Sequence, residues 1–181
     1  MAAAEACYLE RGPARTRMSD IANKAGVHRR TLYDYFPTKD ALLAASFVRA
    51  TSAVIDATGP LWNTDEPFLD RLVNATAVGL KAARSSPTMA LLIGTDDLGR
   101  TFHAAEASEA WSQHLAQVLG QRLEVAQAAG EVRDDLAAHT MAHWVTRIAF
   151  SLVAEPGRPE DGGDAGLLRA FLPACLAPRT R

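Results

Sequence analysis

The chain is predicted to be all-α. Apolar residues recur at three- and four-residue spacing in one segment after another, Gly and Pro separate those segments, and no stretch alternates apolar with polar residues as a half-buried strand does. An apolar content of 48% over 181 residues is ample for a core and excludes disorder as the default. No apolar run reaches the length of a membrane span, and the opening MAAAEACYLERG lacks the basic start of a signal peptide. Cys7 and Cys175 have no CxxC spacing and read as reduced, small apolar residues, so a cytoplasmic location is expected and the Asn74-Ala75-Thr76 sequon carries no weight.

The first helix is expected over residues 2–11, ended by Gly12-Pro13. Thr16 or Arg17 opens the second, in which Ile21, Ala22 and Ala25 share a face and Gly26 supplies a left-handed stop; Val27 is expected to close a small core across that turn. In the third, Leu32 and Phe36 point inward at i and i+4. Arg29, Arg30, Thr31, Tyr33 and Tyr35 are left outside or on the flank, and Pro37 ends the helix. Such a face suits a DNA major groove, where Arg reaches guanine bidentately and Thr or Tyr holds phosphate oxygens. Thr38 caps the next helix. Lys39 in its first turn opposes the helix dipole unless an external anion lies there, and the cationic row beside it favours that anion.

The run Asp20-Ile21-Ala22, Ala25-Gly26-Val27, Thr31-Leu32-Tyr33, Tyr35-Phe36 and Lys39-Asp40-Ala41-Leu42-Leu43 resembles the DNA-binding domain of the tetracycline-repressor (TetR) family of bacterial transcriptional regulators. The resemblance covers about the first 45 residues and implies an all-helical regulatory domain that dimerises and takes a small molecule. By comparison with the family the first helix is short and its basic N-terminal arm is absent, so the start shown is expected to be internal or this member to lack the arm.

A connecting helix is expected from Asp40 to about Thr58, with Leu43, Phe47, Ala50 and Val54 as a buried stripe and Gly59-Pro60 as its end. Asp65-Glu66-Pro67 starts the next, which turns Phe68, Leu72, Ala75, Val78 or Gly79, and Ala82 inward until Ser85-Ser86-Pro87. A short helix over residues 87–93, a loop over 94–101 and one long helix over 104–129 follow, the last with Trp111, Leu115, Val118, Leu119, Leu123 and Ala126 on its apolar side and Gly130 as its stop. Another long helix is expected over 134–154, a breaker-rich loop over 156–163 and a final helix over 165–176. Apolar residues on more than one side of these last two helices predict burial between subunits, and the resemblance pairs the same two helices in a homodimer.

Residues 1–46 are therefore expected to form a helix-turn-helix DNA-binding domain and residues 47–181 an effector-binding and dimerisation domain. Residues 1–50 hold eight Lys or Arg against five acids, a net +3, and the rest of the chain a net −5. A basic head on an acidic body limits phosphate attraction to one place. The DNA-facing set is Thr16, Arg17, His28, Arg29, Arg30, Thr31, Tyr33, Tyr35 and Lys39, with Arg29 and Arg30 toward bases and most others toward phosphates. For an apolar effector with one or two polar groups, the candidate lining is Trp62, Phe68, Met89, Phe102, Trp111, His114 and Trp144, although a residue of each kind is more often plain core than pocket.

Enzymatic readings are weak. His139 and His143 have metal-holding spacing, but Thr140 stands where HExxH has Glu, so packing or capping is preferred and no metal is expected. Asp96-Asp97 reads as turn caps, and Cys7 with His28 as core and surface residues. No GxSxG, P-loop or GxGxxG occurs, and neither catalysis nor a cofactor is expected. The expected function is that of a ligand-responsive regulator: a homodimeric repressor on a palindromic operator, released by a small molecule. The alternative is a helical ligand-binding or interaction dimer that no longer depends on DNA.

Overall fold

Local capping decides where the helices begin and end in a computed structural model that describes residues 1–93 and 98–179. All regular structure among these is helical. The helices are α1 (Ala2–Arg11), α2 (Met18–Ala25), α3 (Arg29–Tyr35), α4 (Lys39–Asp56), α5 (Phe68–Ser85), α6 (Pro87–Leu92), α7 (Leu98–Glu106), α8 (Glu109–Leu115), α9 (Gln121–Ala128), α10 (Ala138–Ala154) and α11 (Gly163–Leu176). A 3₁₀ turn at Gly59–Trp62 precedes α5, and a π-helical turn at Ala116–Gly120 links α8 to α9.

Contacts gather the chain into two units, residues 1–53 with 84–112 and residues 54–83 with 113–181. In the first, α1 packs on α2 and α6, and α2 on α3. Tyr8, Ile21, Leu42, Leu43, Phe47, Met89, Leu92 and Trp111 are among its buried side chains, with the Phe47 and Trp111 rings tilted at 54° and 5.0 Å apart. This unit takes in more than residues 1–46, because helical residues 84–112 belong to it. In the second, Phe68, Leu72, Leu80, Leu115, Leu123, Met141, Val145, Leu168 and Leu172 belong to one apolar core.

Several boundaries differ from expectation. Helix α7 begins at Leu98 within the expected loop, of which residues 94–97, including Asp96 and Asp97, lie outside the described residues. The expected helix over 104–129 is broken at Ala107 and Ser108. The Ala107 amide closes onto the His103 carbonyl, and the Ser108 carbonyl accepts from Ser112 to start a new helix. Helix α10 starts at Ala138, four residues later than expected. The stretch before it is held by tertiary bonds: Gln127 donates to the carbonyls of Arg133 (3.0 Å) and Leu136 (2.7 Å), and the Arg133 amide donates to the Leu176 carbonyl at 2.9 Å. Backbone groups committed to distant partners cannot also continue a helix. Val27 does not close the core across the α2–α3 turn, being 41% exposed; Leu32 is buried there instead.

Candidate nucleic-acid interface and effector recess

The first unit presents two adjoining features, the start of α2 and the outer face of α3. Arg17 is the N-cap of α2 with extended backbone, and its amide donates to the Asp20 carboxylate at 2.9 Å. The first-turn amides of Met18 and Ser19 have no intrahelical acceptor, as at any helix start. Gly26 ends α2 at φ 67°, directing its N–H back to the carbonyls of Ala22 and Asn23. This left-handed residue is what permits a three-residue passage into α3. There His28 caps the helix, its Nδ1 accepting from the Arg30 amide at 3.3 Å, which leaves Nε2 as the outward donor.

A recess of about 740 Å³ lies in this unit, lined by residues 14–19 with Arg29, Tyr33 and Lys39. Four cations, Arg15, Arg17, Arg29 and Lys39, stand in its wall with no carboxylate among the lining side chains. The Arg29 guanidinium donates to the Tyr33 hydroxyl at 3.3 Å and lies 5.3 Å from its ring centroid, so the pair is held as one group. Lys39 donates to the Ala14 carbonyl at 2.8 Å, and Arg15 Nε to the Arg11 carbonyl at 3.0 Å. These bonds fix the directions of the Lys39 ammonium and the Arg15 guanidinium. Helix-start amides beside a cluster of cations are the kind of arrangement that suits a phosphate oxygen.

Arg30, Thr31, Asp34 and Tyr35 occupy the exposed side of α3, with Tyr35 76% exposed. The expected DNA-facing residues thus fall into two sets. Arg17, Arg29, Tyr33 and Lys39 share the recess, whereas Arg30, Thr31 and Tyr35 stand on α3 outside its lining. Arg29, expected toward bases, is grouped instead with the recess. Thr16 is corrected: although it lines the recess, it is fully buried, and its hydroxyl bonds the carbonyls of Gly12 (2.8 Å) and Cys7 (3.2 Å). It fastens α1 to the start of α2 and has no hydroxyl to offer a phosphate. Arg15 and Ser19 are recess residues that the sequence reading missed. Arg15 was legible as one of the eight basic residues of the head; for Ser19 only its position in the first turn of α2 would have pointed to it.

The expected effector residues are divided between the two units. Met89 and Trp111 are buried in the first unit, and the side chain of Phe102 lies outside the described residues. His114, half-buried in the second unit, has its ring pKa pulled down by burial, and Trp144 packs partly buried against the second core. Trp62 and Phe68 meet in the wall of a recess of about 370 Å³ that also holds Arg71, Gln121, Arg122 and Glu131. His139 is exposed beside the Thr140 hydroxyl (3.3 Å), and among the described residues no three His, Cys, Asp or Glu side chains converge on a metal-sized site. No helix among the described residues is long and apolar enough to cross a membrane.

Residues 1–46 match the family of bacterial regulatory proteins, tetR family. Over nearly its whole length the chain is similar to an HTH-type transcriptional regulator of Mycobacterium tuberculosis strain H37Rv, 27% identical over 184 aligned residues that cover 97% of this chain and 83% of that protein. Its fold is similar to that of the R. erythropolis transcriptional repressor QsdR from the TetR family, with a TM-score of 0.65 at 19% identity, covering 99% of this chain and 94% of that one. It is also similar to FadR of Thermus thermophilus, a TetR-family repressor solved with lauroyl-CoA, with a TM-score of 0.62 at 18% identity, covering 94% and 88%.

Proposed function

We infer that this chain, which belongs to the tetR family of bacterial regulatory proteins, represses transcription as a homodimer on a palindromic operator and is released by a small molecule. The observation that carries this reading is the cationic recess at the start of α2 beside the exposed face of α3. Residues 1–46 act as the DNA-binding domain. Arg17, Arg29, Tyr33 and Lys39, together with the amides of Met18 and Ser19, hold the phosphate backbone; His28 donates through Nε2, and Arg30, Thr31 and Tyr35 meet the groove.

Residues 47–181 serve the effector and the dimer. In α10 and α11, Trp144, Ile148, Leu152, Val153 and Cys175 are only partly covered, and Phe171 is 60% exposed. A second copy laid on this face would complete its burial, and two α3 helices spaced about 34–36 Å apart would read successive major grooves. A small-molecule effector agrees with the lauroyl-CoA complex of the T. thermophilus relative.

The test is fluorescence anisotropy of the purified protein on the DNA flanking its own gene, titrated with salt and nonspecific competitor. Saturable binding that survives competitor and falls steeply with salt is expected. Binding abolished by competitor while the dimer persists would favour a helical ligand-binding dimer independent of DNA, a reading to which the exposed Asp34 on α3 lends some support.

A further inference from the structure

The recess of about 370 Å³ in the second unit has a composition that specifies more than an apolar effector. Its aromatic wall is Trp62 and Phe68, with ring centroids 6.0 Å apart. Each ring carries a guanidinium: Arg122 Cζ lies 4.8 Å from the Trp62 centroid and Arg71 Cζ 5.8 Å from that of Phe68. The two cations differ in what compensates them. Arg71 donates to the Trp62 carbonyl at 3.1 Å and faces the Glu131 carboxylate at 3.8 Å, while its buried Nε makes no hydrogen bond. Arg122 bonds the Val118 carbonyl and has no carboxylate within ion-pairing distance among the described residues.

Burial lowers the pKa of Arg122 with no opposing charge to restore it. Holding a partly desolvated guanidinium in this way costs free energy unless an anion joins it. The residue lies two positions after the end of the π-helical turn at Ala116–Gly120, a backbone form that recurs at functional sites. Two guanidiniums and Glu131 leave the recess with one net positive charge. A monoanion balances it, whereas a phosphomonoester dianion overshoots and meets Glu131. Beside the charge lie the Trp62 ring and Val125, an apolar residue left 70% exposed at the rim.

We propose that this recess binds a small amphipathic organic carboxylate, its carboxylate on Arg122 with Gln121 alongside and its apolar body on Trp62 and Val125. As a carboxylate site it stands independently of DNA binding; as the effector site it rests on the regulator reading above. The probes are benzoate and octanoate, with benzamide as the neutral isostere and phenyl phosphate as the dianion, measured by titration calorimetry on the full chain. Both carboxylates are expected to bind, and benzamide and phenyl phosphate at least about tenfold more weakly. Arg122→Gln is expected to weaken carboxylate binding by about tenfold or more. Val125→Glu, a rim substitution that leaves the core untouched, is expected to weaken it also.

Equal affinity for benzoate and benzamide would overturn the proposal. So would unchanged benzoate affinity in folded Arg122→Gln or in Val125→Glu, or the absence of carboxylate binding at millimolar ligand. The anisotropy assay separates the two readings. Carboxylate binding without operator release keeps the site and removes its effector role, and a protein that never binds DNA refutes the regulator reading while calorimetry still decides this one.

Discussion

Thr16 shows how a residue can have the right type and position for one role and the wrong surroundings. A threonine ahead of α2 suits a phosphate contact, but the hydroxyl is enclosed and bonded to two carbonyls. Thr16→Val keeps the shape and removes the hydroxyl's bonds to the carbonyls of Cys7 and Gly12, of which Gly12 keeps the backbone amide of residue 16. A loss of about 1–3 kcal/mol of stability is expected, readable as a lowered urea midpoint, with Thr16→Ser largely preserving it. The cations around it behave differently. Arg29→Ala and Lys39→Ala are each expected to weaken binding to all sequences alike and to flatten the salt slope by about 0.9, whereas Arg30→Ala should relax sequence preference. A changed base preference in Lys39→Ala would remove it from the phosphate set. Asp135 gives a pH handle: Arg133, at 2.6 and 2.7 Å, and Arg179, at 2.9 Å, hold its carboxyl at about 2 against an ordinary 3.8. A depressed carboxylate stabilises the fold above its unfolded value and loses that contribution as the pH falls through the folded one. The melting-temperature gap between wild type and Asp135→Asn is therefore expected to be constant above about pH 4 and to close between pH 4 and 2; a gap independent of pH would exclude the ion pair as its cause.

At the scale of the element, local chemistry placed the early helices well. Gly26 ends α2, Thr38 Oγ1 accepts from the Ala41 amide at 3.0 Å to start α4, and Ser86 Oγ accepts from Met89 to start α6, each a signal contained within four residues. The start of α10 was not legible, because the bonds that hold residues 131–137 out of a helix come from Gln127 and Leu176. A close backbone approach within one turn marks the start of α11. A Cβ on Gly166 would lie 2.3 Å from the Asp161 carbonyl oxygen, which is backbone and cannot swing aside. Gly166→Ala is expected to cost about 1–3 kcal/mol by overpacking even though alanine is the better helix former. A thermal melt decides the sign, and a stabilised variant would show that the turn at residues 159–163 yields easily.

At the scale of the whole molecule, what needs explanation is apolar surface. Phe171 at 60% exposure, beside half-covered residues of α10 and α11, is more than an isolated exposed side chain. The proposed homodimer predicts that Phe171→Glu shifts sedimentation velocity toward monomer while leaving the melting of the dilute monomer nearly unchanged. A variant that sediments as the wild type does would take the interface away from this face. The effector residues illustrate the opposite difficulty. Seven aromatic, sulfur and imidazole side chains had comparable claims, and nothing local distinguishes Met89 and Trp111, which fill the first unit, from Trp62 and Phe68, which wall a recess in the second.

Helix punctuation, the basic head and the α2–α3 motif are written in short-range chemistry: φ preferences, caps, side-chain charge and a 3.6-residue period. They were sufficient for the all-α class and for the resemblance of residues 1–46 to the tetR family. The burial of Thr16, the grouping of Arg29 with Lys39, the late start of α10 and the pairing of Arg71 and Arg122 over two rings depend on residues that the fold brings together. Burial and hydrogen bonding to such partners decide which of a residue's possible roles remains available, and that selection is made only when the chain packs.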